Sequence, residues 1–226
     1  MDRAQRKNIY DYDRLNPKPY EDEAIIIRAN EQDQRLTRLP NIIPTLNDCV
    51  VDYQNCVGKS LLINSASRLN MGGGARNGAI AQEESLIYRS NLYEALVSTG
   101  MKCPLRRIKG IYTPNVLFFR DLHYSDIEPF NVDVLSIYST PIGKLKPYEA
   151  YVLNMDIFGT IISICKEYDV KNLVMPPIGC GVFRHPIEKV MKCMIKTLQK
   201  YEHSIENVYV SCLNDVRKVN EIKKLL

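Results

Sequence analysis

Apolar residues recur along this chain in two registers. Short runs at 60–65, 115–119, 132–138, 171–175 and 207–212 lack helical spacing and predict strands, with Leu61-Leu62-Ile63 reading as buried on both faces. Between them, residues 79–99, 148–168, 187–201 and 215–225 predict helices. The second of these places Leu153, Ile157, Ile161, Ile164 and Cys165 on one face; the third does the same with Ile187, Val190, Met191, Met194, Ile195 and Leu198. Both stripes predict packing surfaces. Alternation of strand and helix predicts an α/β fold with a mixed sheet between helix layers. Residues 1–45 are polar apart from Ala24-Ile25-Ile26-Ile27 and read as an N-terminal extension carrying one strand, before a single domain over 46–226.

Composition narrows the function classes. With 226 residues and 45% apolar content, the chain fills a substantial core. Thirty basic against 26 acidic residues leave a net charge of only +4, which argues for no nucleic-acid groove. Seven cysteines without a C-x-x-C pair, and only three histidines, argue against a metal site. No apolar run is long enough to span a membrane, and the polar start, Met1-Asp2-Arg3-Ala4-Gln5-Arg6-Lys7, is unlike a secretory leader. A reduced, intracellular location, cytoplasmic or nuclear, and a monomeric state are expected. Gly58-Lys59-Ser60 imitates the end of a Walker loop, but Tyr53 stands where the earlier glycine is needed and a strand follows instead of a helix.

The chemistry-bearing segment is Gly72-Gly73-Gly74, a spacer of seven residues, then Gln82-Glu83-Glu84. Glycines let the backbone take positive φ and approach a ligand or side chain closely. They lie between a strand end and a helix start, where ligands collect in α/β folds. A second glycine loop, Gly179-Cys180-Gly181-Val182-Phe183, follows the strand at 171–175 and precedes the helix at 187–201. Taken alone, three glycines suit a flexible loop and paired acids suit a solvated first helical turn. Their combination in register is what points to a site.

These blocks resemble the macrodomain-fold poly(ADP-ribose) glycohydrolases, particularly their compact microbial branch. Ile111-Tyr112-Thr113-Pro114-Asn115-Val116 through Arg120-Asp121 is similar to a third segment of that branch. The resemblance implies a macrodomain-like three-layer α/β/α fold and hydrolysis of ribose–ribose O-glycosidic bonds in poly(ADP-ribose), or action on ADP-ribosylated macromolecules, with ADP-ribose as product and no cofactor. It assigns Glu84 as general acid and base and Glu83 as the residue fixing ribose hydroxyls. Gln82 then steadies the segment, Gly72, Gly73 and Gly74 with the loop of Gly179, Cys180 and Gly181 receive the diphosphate, Val182 belongs to the substrate-binding set, and Phe183 presses on the terminal ribose. Asn64 and Asn70 match polar positions that hold the loop or ribose hydroxyls. Tyr138 and Phe119 are candidates for stacking on adenine.

The chain departs from the branch at Met71, where proline is common, and at Arg68, where a small residue is. Ile178 replaces an aromatic, and Arg184-His185 stand where small or polar residues are expected. Two other readings stay open: a hydrolase of mono-ADP-ribose on protein or nucleic acid, and a non-catalytic reader of ADP-ribose. A reader predicts a missing carboxylate, whereas both Glu83 and Glu84 are present. Cys180 reads as a small structural residue, since no histidine motif accompanies it beyond His185.

Overall fold

The computed structural model describes residues 1–28, 37–105 and 108–226. Along the chain run α1 (Arg3–Leu15), β1 (Ile25–Ile27), β2 (Asn41–Thr45), α2 (Cys49–Gln54), β3 (Ser60–Ser67), α3 (Gln82–Arg89) and α4 (Leu92–Ser98). They are followed by β4 (Gly110–Arg120), β5 (Asp126–Ser139), α5 (Pro147–Glu167), β6 (Asn172–Met175), α6 (Ile187–Lys200), β7 (Asn207–Ser211) and α7 (Val216–Lys223). The strands form a mixed sheet in the order β1-β4-β5-β3-β6-β7-β2, as the α/β reading expects. Among the described residues no helix is long and apolar enough to cross a membrane.

Backbone contacts divide the chain into two compact units, one of Met1–Ile27 with Asn64–Tyr138 and one of Arg28–Ile63 with Ser139–Leu226. In the first, β1 and β5 each pair antiparallel with β4. The β4–β5 register shifts between Thr113 and Val116, where Pro114 has no N–H to give to the ladder. Asp133 compensates there, accepting the Asn115 amide at 3.0 Å and the Tyr112 hydroxyl at 3.0 Å.

The first unit also holds α1, which starts on a capping box: Asp2 accepts the Gln5 amide while the Gln5 side chain accepts the Asp2 amide, both at 2.8 Å. Its arginines then grip a distant turn. Arg3 Nε donates to the Asn77 carbonyl at 2.7 Å, and buried Arg6 donates to the Gly78 carbonyl at 3.1 Å. Further along, Asp13 accepts from the two terminal guanidinium nitrogens of Arg120, at 2.7 and 2.8 Å. Residues 1–45 thus supply α1, β1 and β2 rather than one strand, with 29–36 outside the described residues.

The helix expected over 79–99 is two helices. Residues 79–81 are not helical, and Ala81 caps α3 in extended conformation. At the other end Ser90 is extended and bridges to Phe118, while Asn91 exchanges bonds with Leu117: its N–H reaches the Leu117 carbonyl at 3.1 Å and its Oδ1 accepts the Leu117 amide at 2.8 Å. A piece of β-ladder therefore interrupts an apolar period that continues through it.

The second unit is all parallel. The start of β3 (60–62) pairs with β6, β6 with β7, and β7 with β2. Leu61 and Leu62 of β3 and Leu173 and Val174 of β6 are buried in succession, as strands covered on both faces require, whereas in β7 the buried Val208 and Val210 flank a half-buried Tyr209. The stripes expected on 148–168 and 187–201 belong to α5 and α6, which pack together through positions such as Thr197, whose hydroxyl donates to Met155 Sδ at 3.5 Å. Within this unit the second glycine segment follows the C-terminal end of β6 and precedes α6.

Candidate active site

The first glycine segment and the first turn of α3 are bound to each other and to the end of β3. Beyond its pairing with β6, β3 leaves backbone amides that α3 side chains accept: Ser65 N–H donates to Gln82 Oε1 at 2.8 Å, and Ser67 N–H to Glu83 Oε2 at 2.8 Å. Gln82 and Glu83 thereby fix the register of α3 against the strand. Asn64 is fully buried, its amide donating to Ser136 Oγ at 3.0 Å while its Oδ1 has no partner among the described residues.

The glycines hold the carboxylates. Gly72 and Gly73 have φ of +74° and +61°, the left-handed region, whereas Gly74 does not. Gly74 N–H donates to Glu84 Oε1 at 2.7 Å, Gly73 N–H to the Asn70 carbonyl at 2.9 Å, and the Gly72 amide is directed to Glu83. A Cβ on Gly73 would collide with Glu84 Oε1 and stand 2.9 Å from Glu83 Oε2, so the two carboxylates close over a bare Cα. Neighbouring helical residues diverge by about 100° at the backbone, yet here the carboxylates converge on one glycine while keeping different donors. Asn70 contributes its carbonyl to this turn and is exposed.

Electrostatics distinguish the pair. Glu83 is 4% exposed, and burial, reinforced by the Glu84 charge, pushes its pKa up to about 8 against the pull of the Ser67 and Gly72 amides. Its carboxyl is protonated at neutral pH. Glu84 is 7% exposed; one oxygen is anchored on Gly74, and Oε2 is buried with no hydrogen-bond partner among the described residues. An unpartnered carboxylate oxygen at a helix N-terminus is costly unless a ligand uses it.

Two neighbours, Tyr88 and Gly78, were not legible as site residues. Tyr88, one turn beyond Glu84, donates toward the carbonyls of Ala75 and Ala79 at 3.0 and 2.9 Å and pins the 3-10 turn at Ala75–Asn77. Gly78, whose missing Cβ makes room for the Arg3 carbonyl, links α1 to the same turn. Tyr138 is buried close to Glu83, and burial, then the Glu83 charge, hold its hydroxyl far above the usual phenol range. Its sequence signal was only its aromatic type. Phe119, the other adenine candidate, already carries Arg120 over its ring at 4.9 Å. Arg68 lies beside this group, with Nε buried and unpartnered among the described residues.

The second loop lies in the second unit. Gly179 has φ +73°, and a Cβ there would meet His185 Cδ2 at 3.0 Å. Cys180 N–H donates to the Pro177 carbonyl at 3.0 Å, Arg184 N–H to Gly181, and His185 N–H to Gly179, each at 3.0 Å, so the segment is a closed turn. Burial pushes the Cys180 thiol up to about 12, which leaves no thiolate nucleophile at neutral pH. Val182 is exposed and Phe183 half-buried, its carbonyl accepting the Ile142 amide at 2.9 Å. His185 Nε2 lies 2.7 Å from the Thr140 carbonyl, which only accepts, so that nitrogen carries the proton.

The family model of the microbial-type PARG catalytic domain matches residues 4–121. Among solved structures, the poly(ADP-ribose) glycohydrolase from Thermomonospora curvata shares 16% identity over 99% of this chain and 100% of that one, with a TM-score of 0.79. The same organism's enzyme bound to the inhibitor ADP-HPD shares 20% identity, covering 83% of this chain and 79% of that one, with a TM-score of 0.72. The Deinococcus radiodurans enzyme in complex with ADP-ribose shares 17% over 99% of this chain and 92% of that one, with a TM-score of 0.67. Likeness at these identities establishes the fold. No curated protein matches the sequence.

Proposed function

Because the chain belongs to the microbial-type poly(ADP-ribose) glycohydrolase family, we propose that it releases ADP-ribose from poly(ADP-ribose) with Glu84 as general acid and base. The observation that carries this assignment is the asymmetry of the Glu84 carboxylate, with Oε1 tied to Gly74 N–H at 2.7 Å and Oε2 unpartnered among the described residues. An anchored oxygen sets the orientation; the other is left for chemistry.

In the proposed cycle Glu84 enters in its protonated form and delivers the Oε2 proton to the oxygen bridging two riboses. The bond from the anomeric carbon to that oxygen breaks, the leaving ribose departs as a neutral alcohol, and positive charge spreads over the anomeric carbon and ring oxygen. A water then adds to that carbon and gives its proton to the Glu84 carboxylate, which restores the acid. Glu83, fixed by Ser67 and protonated at neutral pH, is a hydrogen-bond donor suited to a ribose hydroxyl. Gly72, Gly73 and Gly74 serve by holding the two carboxylates, since their amides are spent on Glu83, Asn70 and Glu84. Family resemblance implies a diphosphate contact at Gly179–Gly181 and a ribose contact at Phe183; in that loop a Cβ on Gly181 would meet no atom within 4 Å. All seven cysteines are unpaired, which supports action in a reducing, intracellular compartment.

Glu84→Gln tests the reading, because glutamine keeps an oxygen for Gly74 and removes only the proton chemistry. Release of ADP-ribose from purified polymer should fall by about a hundredfold or more, while titration with ADP-ribose shows binding retained. Release by the variant within tenfold of the parent would remove Glu84 from the acid–base role.

A further inference from the structure

We propose that a cavity between α5 and α6, wholly within the second unit, binds a small amphipathic anion: a carboxylate carried on an aliphatic body. The cavity measures about 390 Å³, in the range of small-molecule sites, and Ile142, Leu145, Ala150 and Cys193 give it apolar walls. Among the described residues no aspartate or glutamate lines it. One side is instead cationic, since Lys189, Lys192 and Lys196 recur along one edge of α6 and all three reach it.

The lysines are not equally engaged. Lys196 donates to the Tyr151 hydroxyl at 2.9 Å and Lys192 pairs with Glu188 at 2.5 Å, but Lys189 makes no hydrogen bond or ion pair among the described residues. An aliphatic chain would leave water against the walls, and its head group would meet the Lys189 ammonium at the rim. A compact polyanion such as inorganic phosphate would gain the charge and waste the walls, and a neutral apolar molecule the reverse.

The buried polar groups at the cavity, Asn154 and His185, are turned to each other at 3.5 Å between Asn154 Nδ2 and His185 Nδ1. His185 also donates its backbone N–H to the Gly179 carbonyl. An occupant therefore touches a residue bonded directly into the second glycine loop, and the imidazole reports on it. With only three histidines in the chain, its resonance is separable from those of His123 and His203, neither of which lines the cavity.

Decanoate, kept below its micelle concentration, is the probe, titrated into the full chain while histidine imidazole resonances are followed by NMR. A saturable shift of His185 without shifts of His123 and His203 is expected, and decanol should bind about fivefold more weakly or worse. Lys189→Glu should weaken decanoate by a similar factor, and Ala150→Leu, which fills the cavity, should abolish the shift. Thermal unfolding of both variants establishes that they are folded; should Ala150→Leu fail to fold, the exposed Lys189→Glu alone decides. Absence of a saturable His185 shift, equal movement of all three histidines, equal binding of decanol, or unaltered binding by Lys189→Glu would each overturn the site.

Discussion

Gly73→Ala puts a methyl group where the two carboxylates meet. The new Cβ would overlap Glu84 Oε1 and lie 2.9 Å from Glu83 Oε2 and 3.0 Å from Glu84 Cδ, all tighter than van der Waals contact. Because φ at this residue is +61°, alanine also pays about 1–2 kcal/mol for left-handed backbone before any clash is relieved. Relief requires Glu84 to move by roughly 1 Å, which stretches its bond from Gly74 N–H beyond useful length; a buried hydrogen bond to a charged group contributes about 1.5–3 kcal/mol. Stability should therefore fall by about 3–5 kcal/mol, and ADP-ribose release by roughly a hundredfold, the usual consequence of displacing a catalytic group by that distance. Gly58→Ala is the matched control: φ is +93° but the surrounding space is open, so only the backbone cost of about 1–2 kcal/mol applies and turnover should be unchanged. Denaturant unfolding and initial rates of release on all three proteins supply both numbers. The reasoning is refuted if Gly73→Ala keeps activity within threefold of the parent, or if Gly58→Ala loses as much.

Glu83 gives a pH signature. Its folded pKa is raised to about 8 from an ordinary 4.5, so the folded state binds the proton more tightly, and the stability this provides is complete below 4.5 and lost as pH rises toward 8. Glu83→Gln, which cannot ionise, should lack that loss, so the difference in melting temperature between parent and variant should move against the parent from pH 5 to 9; parallel curves would show that Glu83 titrates normally. Gly78→Ala should dislodge α1, because its Cβ collides with the Arg3 carbonyl and φ there is +69°. Faster amide exchange confined to Arg3–Leu15 and the Ala75–Asn77 turn, with weaker ADP-ribose release, is expected; unchanged protection of α1 would mean that Arg3 and Arg6 do not anchor it.

The alternation of strands and helices from residue 60 onward, apart from the break within 79–99, was legible in the sequence because it rests on local signals. Leu61-Leu62-Ile63 had to be a covered strand, the stripes of α5 and α6 had to face a core, and glycines before an acidic helical turn had to mark a strand-to-helix crossing. Resemblance added the chemistry, and the family match agrees with it.

Other features were decided only by contacts between residues far apart in the chain. Nothing in the apolar period of 79–99 foretells the break at Ser90, which exists because Phe118 and Leu117 of β4 offer that backbone a ladder. Polar residues 3–15 gave no apolar stripe, and their helix is held instead by arginine side chains on carbonyls of Asn77 and Gly78. The sequence by itself determined that two adjacent carboxylates stand beside three glycines. Folding determined that they converge on the bare Cα of Gly73, that one is buried deeply enough to keep its proton at neutral pH, and that the other keeps one oxygen without a partner. Periodicity and residue type record a side chain's preference for apolar or polar surroundings; pKa, orientation and an unpaired oxygen depend on which distant atoms the fold brings within reach.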